Sequence, residues 1–110
     1  MSLDPTLDVT VDGDVIFRFA VTNRGTEPVE LTFRTGQYAD VAVYDIETDA
    51  IVWQWSDGKM FTQSLERLPL SPGETFEREY TWCDPQSGDY VAIATLEADR
   101  DVEARVEVTI

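Results

Sequence analysis

Apolar and polar residues alternate with a period of two along most of this chain, and no window carries a sustained helical stripe. Val15, Phe17, Phe19 and Val21 fall on one side of an extended segment, with Ile16, Arg18, Ala20 and Thr22 on the other. The C-terminal stretch repeats the pattern: Val102, Ala104, Val106, Val108 and Ile110 alternate with Glu103, Arg105, Glu107 and Thr109. Turn-forming clusters separate these runs at Asp12-Gly13-Asp14, Asn23-Arg24-Gly25, Glu47-Thr48-Asp49, Ser56-Asp57-Gly58, Pro72-Gly73 and Asp84 to Gly88. Together they predict strands at about 7–11, 15–22, 29–34, 39–46, 51–55, 66–70, 75–82, 89–97 and 102–109. Tyr90 to Leu96 is apolar on both faces, which predicts an interior position in its sheet.

Short strands spaced regularly by turn signals make an antiparallel sandwich. With 110 residues there is material for one core, and no linker, repeat or low-complexity tract interrupts the chain. The expected architecture is therefore one all-β domain over residues 1–110.

Composition sharpens this picture. A hydrophobic fraction of 43% excludes wholesale disorder. No apolar run approaches the roughly 18 residues needed to span a bilayer. The opening MSLDPTLDVT has neither a basic region nor an apolar one, so a soluble, cytoplasmic protein made without a secretion signal is expected.

Charge is the strongest compositional signal. The chain carries 22 acidic against 8 basic residues, a net charge of −14, and Lys59 is its only lysine. Such a balance argues against nucleic-acid and anionic-membrane partners, which need a basic face. Self-repulsion on this scale weakens a compact state at low salt and is screened at high salt. A halophilic, salt-accumulating cytosol follows; an ordinary acidic protein kept soluble by its charge is the alternative. The lone Cys83 has no internal partner, which fits a reducing compartment, and Trp82, Asp84 and Pro85 offer it no activating cation.

Candidate chemistry is sparse. The absence of histidine removes the commonest general base and the usual metal ligand. Carboxylates are too abundant for any pair to stand out. Asp45-Ile46-Glu47-Thr48-Asp49 opens like a calcium loop, but the required Gly and Glu are replaced by Ala50 and Ser56, so an acidic hairpin turn is expected instead. Neither an enzyme, a metal nor a cofactor is predicted.

The stretch Ile51-Val52-Trp53-Gln54-Trp55 places Ile51, Trp53 and Trp55 on one side by simple alternation. Trp53 is expected in the core. Trp55, at the strand end, belongs either to the core or to an exposed platform of rings for sugar binding, with Trp53 and Trp82. After Ser56-Asp57-Gly58, the residues Lys59 to Leu65 alternate in no regular way and predict an ordered loop packed by its own side chains. Loops held on a rigid scaffold are where binding residues concentrate.

Val52, Trp53, Trp55, Ser56, Gly58, Phe61 and Gln63 form a specific block. Leu70, Pro72, Gly73 and Glu74 follow it, then a strand from Phe76 to Trp82, then Gly88 and Tyr90. Upstream stand Thr22-Asn23 and, after Phe33, Gly36-Gln37-Tyr38-Ala39-Asp40. Over roughly residues 15 to 98 this arrangement resembles the bacterial intracellular proteinase inhibitor (BsuPI-type) family. The resemblance implies an immunoglobulin-like β-sandwich and a protein partner, an intracellular subtilisin-type serine protease. It does not assign the inhibitory residues.

Two mechanisms are compatible with that expectation. In one, a loop enters the protease cleft like a substrate; subtilisin-type pockets favour a large apolar side chain, which Met60 or Phe61 would supply, flanked by Lys59 and Thr62. In the other, a sheet edge or loop cluster occludes the cleft, and Tyr38 is an equal candidate. Against both stands a purely architectural reading in which Phe61 plugs the bottom of the sandwich and Met60 covers it. A general interaction module and a carbohydrate-binding module are the alternatives to inhibition.

Overall fold

The computed structural model describes residues 3–110. Nine strands occupy them: β1 (Leu3–Asp12), β2 (Asp14–Asn23), β3 (Val29–Phe33), β4 (Ala39–Asp45), β5 (Ile51–Gln54), β6 (Glu66–Leu70), β7 (Thr75–Trp82), β8 (Asp89–Leu96) and β9 (Glu103–Thr109). Each lies where alternation and turn chemistry predict one, and the described residues contain no helix.

All strand pairs are antiparallel. One sheet runs β1-β2-β7 and the other β5-β4-β8-β9, while β3 and β6 make a separate ribbon. The two larger sheets reproduce the pairing of an immunoglobulin-like sandwich. The departure is that β6 pairs with β3 and not with β7.

The core is the set of inward positions that alternation isolates. Val15, Phe17, Phe19 and Val21 are fully buried on β2, and Val41, Val43, Ala92 and Ala94 are fully buried on the facing sheet. Tyr90 at the start of β8 donates its hydroxyl to the Gln86 carbonyl at 2.9 Å, the corner by which such sandwiches pin the approach to this strand. Gly88 allows that corner. A Cβ there would stand 3.2 Å from the Tyr90 hydroxyl, on a backbone with φ of 155°.

Two details differ from the sequence-based expectation. β1 begins at Leu3 and runs through Pro5, which pairs with Val21. Because β1 is an edge strand, the missing Pro5 N–H costs the ladder little. The second is an irregularity in β5: Val43 opposes Trp53, but the next partner of Tyr44 is Ile51, so Val52 is the extra residue of a bulge. Ile51 therefore lies on the outer face with Tyr44, and not beside Trp53 as alternation suggests.

Candidate functional site

The connection from β5 to β6 is the longest irregular segment of the fold and begins where the aromatic core ends. Trp53 stacks between Phe17 and Trp82, with ring centroids 6.1 and 5.9 Å away, and Trp82 meets Tyr90 edge-on at 5.2 Å. These rings fill the interior, so the three tryptophans do not form a shared exposed platform. Trp55 continues the same face: its amide donates to the Val41 carbonyl at 2.9 Å and its ring meets Tyr80 edge-on at 4.7 Å.

Beyond Trp55 the chain leaves the sheet over a buried carboxylate. Asp40, 8% exposed, accepts hydrogen bonds from Gln54 Nε2 at 2.7 Å, Ser56 N at 3.1 Å, Ser56 Oγ at 2.6 Å and Val41 N at 2.9 Å. A buried anion held by four donors resists displacement, because breaking any bond exposes its full desolvation cost. Two tight turns follow, with Asp57 N donating to Gln54 O and Lys59 N to Ser56 O.

The tip comes next. Lys59 lies with Nζ 5.0 Å from the Trp55 ring centroid, and the Phe61 ring sits 5.7 Å from the same indole, half-buried. Between them Met60 is 97% exposed. Thr62 is exposed, and its carbonyl accepts from Gly36 N at 2.9 Å, tying the far side of the tip to the β3–β4 loop. The approach is close: a Cβ on Gly36 would stand 2.8 Å from Thr62 Oγ1, so a larger residue there would require the exposed Thr62 side chain to turn away.

Tyr38 occupies the same end of the molecule. Its ring meets Phe33 edge-on at 4.9 Å, its hydroxyl donates to Glu66, and the Arg78 guanidinium lies 5.0 Å from its centroid. The hydrogen bond to Glu66 pushes the Tyr38 phenol above its ordinary range, burial and the Glu66 charge add to this, and Arg78 opposes it. Burial pushes Tyr80 up to about 12, with Arg78 opposing and Asp40 reinforcing the shift. Burial likewise raises the Glu97 carboxyl, and the Asp40 charge adds to the effect.

Lys59, Met60, Phe61, Thr62 and Tyr38 thus gather at one end of the sandwich, and the expectation that Phe61 plugs its bottom beneath Met60 is not met. Phe61 is only half-buried and packs on the Trp55 indole, outside the core cluster, and Met60 covers nothing. Alternation gave no sign of Asp40, which is one carboxylate among many and occupies an outward-facing position on β4. The Asp45 to Asp49 segment is the expected hairpin turn, with Asp45 Oδ1 accepting from Glu47 N at 2.9 Å and Thr48 N at 3.2 Å. Among the described residues no group of His, Cys, Asp and Glu is placed to hold a metal ion, and no helix is long and apolar enough to cross a membrane.

Comparison with solved structures returns the same architecture. A GH3 β-glucosidase from Bifidobacterium adolescentis aligns over 99% of this chain with a TM-score of 0.50 and 16% identity, using 17% of the enzyme. β-Glucosidase 3B from Thermotoga neapolitana, in complex with α-D-glucose, aligns over 98% at 0.50 and 14% identity, using 16% of that enzyme. The CARDB domain of a Pyrococcus furiosus protein, in complex with di-metal ions, aligns over 97% of this chain and 92% of its own length at 17% identity and a TM-score of 0.47. The chain thus spans about a sixth of the enzymes it matches, and at these identities the likeness is one of fold alone. No curated protein matches the sequence significantly. The family model described as intracellular proteinase inhibitor matches residues 3–101, and the chain belongs to that family.

Proposed function

We propose that the protein is a non-enzymatic inhibitor of an intracellular subtilisin-type serine protease, which it engages by presenting Met60 to the cleft as a substrate would. The observation that carries this reading is the exposure of Met60, 97%, on a loop braced on both sides. Ser56 is bound to Asp40 before the tip, and Thr62 to Gly36 after it.

The chemistry of inhibition follows from the brace. Attack on the Met60 carbonyl would release the Phe61 amine, yet Phe61 stays packed on Trp55, 5.7 Å between centroids. An amine held beside the acyl group reacts back far faster than a diffusing water hydrolyses it, because intramolecular reactions carry effective molarities of about 10⁵ M or more. Cleavage is then reversible and the complex persists.

The net charge of −14 supports action in a salt-rich cytosol. Titration of a salt-tolerant subtilisin-type protease in concentrated KCl tests the proposal. Loss of activity at near-equimolar protein, weakened by Met60→Ala more than by Tyr38→Phe, is the expected result. Full protease activity beside an intact, undigested sandwich would reject inhibition and leave a general interaction module.

A further inference from the structure

We infer, resting on the inhibitor reading of Met60, that Trp55 is the positioning residue of the tip and holds both sides of the Met60–Phe61 bond on one ring. Lys59 and Phe61 are two residues apart, so where the chain is extended they fall on one side and Met60 on the other. Lys59 Nζ lies 5.0 Å and the Phe61 ring 5.7 Å from the Trp55 ring, while Met60 between them is left free.

Trp55 can serve as an anchor because it is fastened to both sheets. Its amide donates to the Val41 carbonyl on β4, and its ring meets Tyr80 on β7 edge-on at 4.7 Å. The other braces act at Ser56, through Asp40, and at Thr62, through Gly36. Only the indole reaches both residues that flank Met60. Phe61 is the main tether, as a half-buried aromatic partner; Lys59 stays exposed, so its cation–π contact is the weaker one.

The anchor matters at the step where the bond opens. The protease serine oxygen bonds to the Met60 carbonyl carbon, the Met60–Phe61 bond breaks, and the serine proton passes to the departing Phe61 nitrogen. Resynthesis is the reverse and needs that amine beside the ester. With the acyl side held through Lys59 and the amine side through Phe61 on one indole, the ends cannot drift apart, and the amine outcompetes water.

The test incubates the full chain with catalytic amounts of a salt-tolerant subtilisin-type protease in concentrated KCl. Mass spectrometry reads the ratio of cleaved to intact protein at equilibrium. Trp55→Leu is expected to raise that ratio at least about tenfold, with cutting confined to the Met60–Phe61 bond. Trp55→Phe, which keeps a ring in place, should stay near the parent. Phe61→Ala lies outside the core cluster and should raise the ratio in the same way, so it decides the matter if Trp55→Leu unfolds early. Cuts scattered through Trp55→Leu, with Phe61→Ala at the parent's ratio, would assign the ring to stability alone and overturn the inference. A folded Trp55→Leu that keeps the parent's ratio, while the parent still inhibits, also overturns it and leaves the inhibitor reading standing. A parent that does not inhibit overturns both.

Discussion

The Asp40 carboxylate and the Ser56 hydroxyl, sixteen residues apart in sequence, lie 2.6 Å from one another and join the β4 strand to the start of the β5–β6 loop. Replacing Asp40 by Asn swaps an acceptor for an amide donor that faces Ser56 and Gln54. A loss of about 2–4 kcal/mol is expected from the orphaned donors, readable as a lower unfolding midpoint. The sharper expectation concerns the protease. With the brace gone, the variant should be cut after Met60 and its inhibition should fade with time, as mass spectrometry of the incubation would reveal. A variant that unfolds early but is never cleaved would separate the brace from the mechanism.

Asn23 forms a second buried polar node. Fully buried, it donates to the Glu27 and Leu70 carbonyls at 2.8 and 2.9 Å and accepts from Gly25 N at 2.9 Å, so it pins β2, the following turn and β6 together. Asn23→Ala should cost about 2–4 kcal/mol, since each buried group left unpaired is charged its desolvation penalty. Asn23→Asp should be no better, because two carbonyls would then face a carboxylate. Chemical denaturation measures both, and a shift below about 1 kcal/mol would show that water replaces the side chain.

These two nodes mark the limit of what the sequence discloses. The inward row Val15, Phe17, Phe19 and Val21 is written in the alternation, since half-buried strands demand it. The loop after Gly58 is written in the loss of that alternation. The bulge at Val52 is not, because no glycine or other local signal marks it and the register is set by β4. Asp40 is likewise hidden: an outward acid on a strand is ordinarily solvated, and only the return of Gln54 and Ser56 over it makes it buried. Thr22-Asn23 and Gly36 to Asp40 stood out through family resemblance, and their physical reasons emerge only in three dimensions.

Salt should govern stability. With a charge of −14 and few ion pairs on the described surface, repulsion is relieved as the Debye length shrinks from about 10 Å in 0.1 M salt to about 3 Å in 1 M. The thermal midpoint is expected to rise steeply between dilute and concentrated KCl. An unchanged midpoint would sink the halophilic reading without touching the fold.

Alkaline pH should probe the aromatic frame. Tyr80, whose ordinary pKa is 10.0, is held up at about 12 by burial beside Trp55. Because the folded state holds this proton more tightly than the unfolded chain, the contribution is complete below pH 10 and is lost as pH rises toward about 12. Tyr38 shifts in the same direction through its bond to Glu66. Ultraviolet titration should therefore resolve late phenolate formation, and Tyr80→Phe should flatten the fall in stability over that range. Simultaneous titration of all tyrosines near pH 10 in the folded protein would contradict the assignment.

The brace around Met60 is made wholly of hydrogen bonds and ring contacts, and the one cysteine, exposed Cys83, stands outside it. Small secreted domains commonly hold their shape with covalent sulfur bridges, which reductants open. A loop fixed by a carboxylate, a glycine contact and an indole has nothing for glutathione or thioredoxin to attack. Its geometry is indifferent to the thiol balance of its surroundings, so a reducing cytosol leaves the brace intact, and the part of the loop open to oxidation is the exposed thioether of Met60 itself.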